Sequence, residues 1–385
     1  MSAVVVFIIF AICLIIAIPI SISLGIVAVL PGAFDASFTA SAGYVIRSMV
    51  GGIDSFPLLA VPMFVLAGIL MAHGKISEKL FDVFVYFLGN KRAGIPCAVI
   101  ITCLFYGAIS GSAPATVAAV GSMTIPLLIE LGYEKDFSTA IVAVAGGLGV
   151  IIPPSIPFIM YAMATGESVS DLFLAGIVPG MMISALLIFY AYYYCRRHGE
   201  DREKIQAKMD QLKTKGFVNI LKESIWALLS PVIVLGCIYS GVASPTEAAV
   251  ISVFYSLFVS LFIYKSIKVK QIWGIMVEAM KTYAPILFIL ATSTAFSRVL
   301  TLMQVPQDVS AWIMTHFSNE IVLLLVINVV LLIVGMVMDT TPAILILSPI
   351  LLPIVEHVGM NPIHFGVMTV SYTHLRAHET ELHLV

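Results

Sequence analysis

The sequence predicts an all-α polytopic membrane protein built of inverted structural repeats, with two re-entrant helical hairpins and discontinuous helices. Three observations lead there. Of 385 residues, 60% are hydrophobic and 11% are charged, against about 25% charged in a soluble globular chain, and the mean hydropathy is +1.06. The apolar residues also run in long blocks: 3–30 carries no charge at all. As one helix that block measures roughly 42 Å, against a hydrocarbon core of about 30 Å. Third, a proline-centred motif occurs once in each half at a nearly constant spacing.

Apolar blocks fall at 3–30, 57–73, 93–110, 114–131, 137–165, 172–195, 225–243, 246–264, 284–303, 320–337 and 342–357. The first is expected to stay as a membrane helix, since no Lys or Arg precedes Arg47 to make the basic region of a cleavable signal. Stretches 76–89 and 266–282 mix charges with aromatics and suit helices lying along the membrane surface. Residues 196–223 hold eight of the 20 basic residues and five acids. By the positive-inside rule this linker is cytoplasmic. Lys91–Arg92 and Lys265–Lys270 fall on the same side, and 304–319 outside, if some blocks are hairpins that return to the face they entered.

The linker separates a first half, 1–195, from a second, 224–370. Ser110-Gly111-Ser112-Ala113-Pro114-Ala115-Thr116 in one matches Met338-Asp339-Thr340-Thr341-Pro342-Ala343-Ile344 in the other, the prolines 228 apart. Ile125-Pro126-Leu127-Leu128 returns as Leu352-Pro353-Ile354-Val355 at 227, Gly132 as Gly359 at 227, and Phe137 as Phe365 at 228. Pro62 pairs with Pro285 at 223. Hairpins at 93–131 and 320–357 that enter from opposite faces make an inverted repeat, a plan used by secondary transporters.

Each tip carries its own chemistry. Proline is favoured in the first turn of a helix, so the second arm of the first hairpin is expected to begin at Pro114, its free N–H groups facing Ser110, Gly111 and Ser112. Such an end suits an anion, or a small cation held by neighbouring hydroxyls; a kinked helix with Ser bonded to its own backbone is the plain alternative. In the second tip Asp339 stands at the position of Gly111, followed by Thr340 and Thr341. A carboxylate inside the bilayer is costly; this one can neutralise Na⁺, cap the helix starting at Pro342, or accept from a substrate hydroxyl.

Gly146-Gly-Leu-Gly-Val-Ile-Ile-Pro-Pro-Ser-Ile-Pro157 lies inside an apolar block and cannot be one helix. Pro153, Pro154 and Pro157 remove the hydrogen bonds to the carbonyls of Gly149, Val150 and Pro153. Free carbonyls at membrane depth need protein, water or an ion, and carbonyls with the Ser155 hydroxyl suit Na⁺. Arg298 sits in Thr-Ser-Thr-Ala-Phe-Ser-Arg, with no further Lys or Arg up to 375. It can pair a substrate carboxylate or snorkel to the outer interface. Glu247, in Ser-Pro-Thr-Glu, reads as a capping box.

Several classes are excluded. A net charge of −2 offers no basic surface for nucleic acid. No GxxxxGK[ST], HExxH or GxSxG occurs and no His lies near Asp339 in sequence, which argues against ATP hydrolysis through a P-loop and against an intramembrane enzyme. The five cysteines, without CxxC pairing, read as reduced core residues.

Ser110–Thr116, Gly146–Pro157, Pro245–Ala249 and Asp339–Pro342 resemble the large membrane (permease) subunit, DctM-type, of tripartite ATP-independent periplasmic (TRAP) transporters, over about residues 1–370. The resemblance implies an elevator-type fold in the bacterial inner membrane, and a Na⁺-driven importer of small organic acids (dicarboxylate, sugar-acid or related). It implies a four-helix small membrane subunit and a periplasmic substrate-binding protein as partners, and no cofactor beyond Na⁺ as coupling ion. It places Ser110, Ser112, Ser155, Arg298 and Asp339 beside the substrate. Ser110, Gly149, Ile152 and Pro154 would serve one Na⁺; Gly335, Thr340 and Thr341 another. A stand-alone Na⁺/anion symporter of citrate or dicarboxylate type, without a binding protein, is the alternative.

After Val370 the chain departs from this pattern. The repeat predicts a counterpart of the broken helix near 374, yet 371–385 hold three His and no Gly/Pro-Pro segment. A non-native tail is expected there, with half of the second Na⁺ site and the last spans lost; a metal site on the three His is not.

Overall fold

The computed structural model describes residues 2–35, 38–214, 216–316 and 319–374. All regular elements among them are helical, and seven helices are long and apolar enough to cross a membrane: Phe56–His73, Ala113–Glu130, Val169–His198, Phe217–Tyr239, Pro245–Ile263, Val269–Leu302 and Thr340–His357. The protein is therefore a multi-pass membrane protein. Shorter apolar helices cover Ala3–Ile15, Ile20–Phe34, Gly94–Ser110 and Glu320–Met336.

Three expectations change. Block 3–30 is two helices, not one, because Ala17 takes a left-handed φ of 62° and Pro19 starts the second. Neither of them alone spans about 30 Å. The surface helix expected at 266–282 and the span at 284–303 form one helix, Val269–Leu302, with Pro285 inside it. The other surface helix, Ile76–Leu88, is amphipathic but buries Ile76, Leu80, Phe81, Val83 and Val85 in a protein core rather than in lipid. The linker contains a further helix, Arg202–Thr214.

The described chain packs as two compact units, and these are not the two sequence halves. One comprises Met1–Leu59, Pro157–Leu172 and the described part of Lys281–Ala377; the other comprises Ala60–Ile156 and Phe173–Met280. The core of the first unit gathers Val6, Phe10, Leu24, Val27, Phe296 and Val299, with the Phe10 and Phe296 rings stacked at 6.0 Å. It holds the second hairpin, Glu320–Val337 and Thr340–His357, and the helix Pro362–His374 that follows it. Of the expected tail, residues 371–374 continue this last helix and 375–385 lie outside the described residues.

The second unit holds the first hairpin, Gly94–Ser110 and Ala113–Glu130, and the start of the broken helix. Its core includes Met71, Leu80, Ile95, Cys103, Tyr106 and Leu128. The Tyr106 hydroxyl donates to the Gly68 carbonyl at 3.0 Å, so a buried phenol is satisfied as burial requires. At the N-terminus of Pro245–Phe258, Ser244 and Glu247 form the expected capping box.

Candidate functional site

In the second unit, the tip of the first hairpin lies against the break in the broken helix. The first arm ends at Ser110, and Gly111 takes φ 62°, a left-handed turn that glycine adopts without strain. Ser112 is the N-cap of the second arm, which begins at Ala113 rather than Pro114. The helical run Lys135–Gly146 and Leu148–Ile151 stops at Ile152, which is extended, and the next helix starts at Ile156. The Ile156 N–H donates to the Gly111 carbonyl at 3.1 Å. A Cβ on Gly111 would stand 2.9 Å from the Pro154 carbonyl oxygen. Proline leaves the backbone in want of partners at the break, and the hairpin tip supplies one.

Close approach along the arms depends on glycines. A Cβ on Gly107 would lie 2.5 Å from Cα of Gly149, and one on Gly149 would meet Thr116 Oγ1 at 2.6 Å and the Ser112 carbonyl oxygen at 3.0 Å. Ser110, Gly149, Ile152, Pro154 and Ser155 are all buried, with Ser112 half-buried at the edge.

The hydroxyls divide between structure and availability. Ser110 Oγ is 2.9 Å from Thr116 Oγ1 and 3.3 Å from the Ser112 carbonyl oxygen, to which Thr116 also donates at 2.8 Å. Ser155 donates to the Val150 carbonyl, so that carbonyl, expected to be free, is taken. Ser112 has no side-chain capping bond. Thr116 was not among the expected site residues. Its place four residues after Ser112, where a helical threonine bonds back, was the signal for it. The resulting donor set of hydroxyls and carbonyls suits a hard cation. Among the described residues no group of three or more His, Cys, Asp or Glu could hold a transition metal.

In the first unit the second hairpin has a related tip. Asp339 is the N-cap of the second arm, which starts at Thr340 rather than Pro342, and its carboxylate accepts the Thr340 N–H at 2.8 Å. Of the three roles open to Asp339, helix capping is thus occupied. Thr340 and Thr341 are buried, and Thr340 Oγ1 donates to the Thr373 carbonyl at 3.4 Å. A Cβ on Gly335 would lie 2.8 Å from Cα of Thr373. Gly335 stands 228 residues after Gly107, and in each unit this glycine, one turn before the tip, admits the backbone of the next element.

Arg298 lies elsewhere in the first unit, on a cavity of about 500 Å³. Leu290, Thr294, Ser297 and Arg298 line it from one face of the helix Val269–Leu302, as a spacing of three to four requires. Gly51 and Gly52 approach from the helix Ala42–Ile53: a Cβ on Gly52 would stand 2.7 Å from Thr294 Cβ. Leu345 and Pro349 of the second hairpin complete a wall, and Glu167 lines it from the loop after Ile156–Thr165. Among the described residues Arg298 forms no ion pair. Glu167 was not among the expected site residues; it lies with Asp171 in the polar break 166–171 between two apolar blocks, which reads as an ordinary loop.

The sequence profile described as "Tripartite ATP-independent periplasmic transporter, DctM component" matches residues 7–377. The chain is 42% identical over 361 residues to the isethionate TRAP transporter permease protein DctMQ of Oleidesulfovibrio alaskensis, covering 94% of the chain and 56% of that protein's length. It is 39% identical to the C4-dicarboxylate TRAP transporter large permease protein DctM of Pseudomonas aeruginosa (82% of the chain, 73% of the relative). To the 2,3-diketo-L-gulonate TRAP transporter large permease protein YiaN of Escherichia coli it is 38% identical (84% and 74%). Its fold is shared with the YdaH transporter of Alcanivorax borkumensis at a TM-score of 0.61 and 15% identity, over 90% of this chain and 80% of that one.

Proposed function

Because the chain belongs to the DctM component family of the tripartite ATP-independent periplasmic transporters, a family of the bacterial inner membrane, we propose that it is the permease subunit of a secondary importer of small organic anions. In this reading a Na⁺ gradient drives uptake, a periplasmic binding protein delivers the substrate, and a small membrane subunit supports the permease. The relatives are named as transporter permeases, not enzymes.

One observation carries the Na⁺ reading. The first hairpin tip and the break at Pro153–Pro154 bring hydroxyl and carbonyl oxygens together, and no acidic side chain takes part in the contacts described there. Oxygen ligands of this kind offset the dehydration of a hard cation, and a monovalent ion released each cycle needs a site of modest charge. Ser110, Gly149, Ile152 and Pro154 are the ligands assigned to it; Gly335, Thr340 and Thr341 are assigned to a second ion. The residues assigned to the substrate in this reading are Ser110, Ser112 and Ser155 in the one unit, and Arg298 and Asp339 in the other. The bond from Ile156 to Gly111 lets tip and break travel as one piece, which is what an elevator movement asks of an ion site.

The test is uptake by the full-length permease with its small subunit and binding protein in proteoliposomes. Uptake of a small organic anion is expected only with an inward Na⁺ gradient and only with the binding protein present. ATP-dependent, Na⁺-independent uptake would overturn the coupling. Uptake undiminished without the binding protein would replace the tripartite reading by that of a stand-alone symporter.

A further inference from the structure

The cavity that holds Arg298 also holds a carboxylate. Glu167 and Arg298 line the same space of about 500 Å³, a size typical of small-ligand sites. No ion pair forms between them within 4.0 Å, so each charge faces the cavity with its own requirement. A guanidinium presents only donors and favours an anionic group. An ionised carboxylate presents only acceptors; it favours a group that donates hydrogen bonds and opposes a second anionic group.

We propose that Glu167 is a specificity-determining residue that opposes dianions. The cavity then takes small monoanions, sulfonates or carboxylates, whose other end carries hydroxyl groups. The anionic group binds at Arg298 and a hydroxyl donates to Glu167. Ser55 and Ser297, which also line the cavity, serve the other polar groups of the ligand. A dicarboxylate held at Arg298 would place its second carboxylate in the space that Glu167 also lines, where like charges repel. This assignment rests on the transport reading above and narrows its substrate class.

Binding is measured on the permease itself, because in the assembled system the binding protein filters substrates first. The full-length permease with its small subunit, in lipid nanodiscs with saturating Na⁺, is titrated with 2-hydroxyethanesulfonate, gluconate and succinate. At least one monoanion is expected to bind about tenfold more tightly than succinate. Glu167→Gln should erase the preference by strengthening succinate binding, while Glu167→Asp, which keeps the charge, should retain it. Equal affinities in the unaltered chain, or an unchanged ratio in Glu167→Gln, overturn the role of Glu167 and leave the transport reading intact. Binding of none of the three probes, with or without Na⁺, overturns both.

Discussion

At Gly107 the space for a side chain is already occupied. An added methyl group would stand 2.5 Å from Cα and 2.9 Å from N of Gly149, and backbone atoms cannot turn aside as a rotamer does. Gly107→Ala should therefore force the first arm away from the break, at a cost of about 1–3 kcal/mol. Melting of the purified protein checks this: Gly107→Ala should melt lower, whereas Gly236→Ala, with nothing within 4 Å of the added atom, should not. Arg298 presents the opposite case, a side chain with space before it. Arg298→Ala should abolish most uptake without lowering the melting temperature. Arg298→Lys should restore little, since one ammonium cannot reproduce a two-pronged contact. Normal affinity in Arg298→Ala would return the residue to an interfacial role.

At the scale of elements, the charged linker is tied to the first hairpin rather than hanging free. The Glu200 side chain is only 2% exposed. It accepts from the Ala93 N–H at 3.0 Å, the Tyr133 hydroxyl at 2.7 Å and Arg202 at 2.9 Å. Ala93 precedes the first arm and Tyr133 follows the second, so one carboxylate joins both outer ends of the hairpin to the linker. Burial, then the bond to Glu200, pushes the Tyr133 phenol well above its ordinary range. It therefore stays a donor at any physiological pH. Glu200→Ala leaves those donors without their acceptor and should cost about 1–3 kcal/mol. The expected sign is earlier proteolysis between 198 and 217 together with a lower melting temperature. Unchanged proteolysis would mean that the helix Arg202–Thr214 holds the linker by itself.

On the scale of the whole molecule, the surface follows the solvent. The helix Val169–His198 exposes Leu174, Val178, Met182, Leu186 and Phe189 and ends in Arg196, Arg197 and His198. A continuous apolar face of this kind favours lipid over water, and the positive-inside rule assigns a basic end to the cytoplasmic side. Leu186→Asp should lower the membrane-inserted fraction, by an amount set by a cost of about 2.5–3.5 kcal/mol. Leu186→Ala should leave that fraction nearly unchanged, as carbonate extraction of membranes would show.

Composition, charge-free blocks and the repeated proline motifs were enough to determine that this chain is helical and membrane-embedded, with two hairpins and one helix that must break. They sufficed because water, lipid and the missing N–H of proline act on each segment locally. The sequence could not show where the first helix of 3–30 ends: Pro19 marks a break, but the left-handed Ala17 sets its place, and alanine carries no mark of that conformation. Nor could it join 269–302 into one helix across Pro285, because neighbouring elements set whether a proline ends a helix or only bends it. Tertiary structure alone decided that Ser155 satisfies Val150, that Thr116 supports Ser110, and that Glu167 shares a cavity with Arg298. These are contacts between segments distant or differently turned along the chain, and only packing sets their distances.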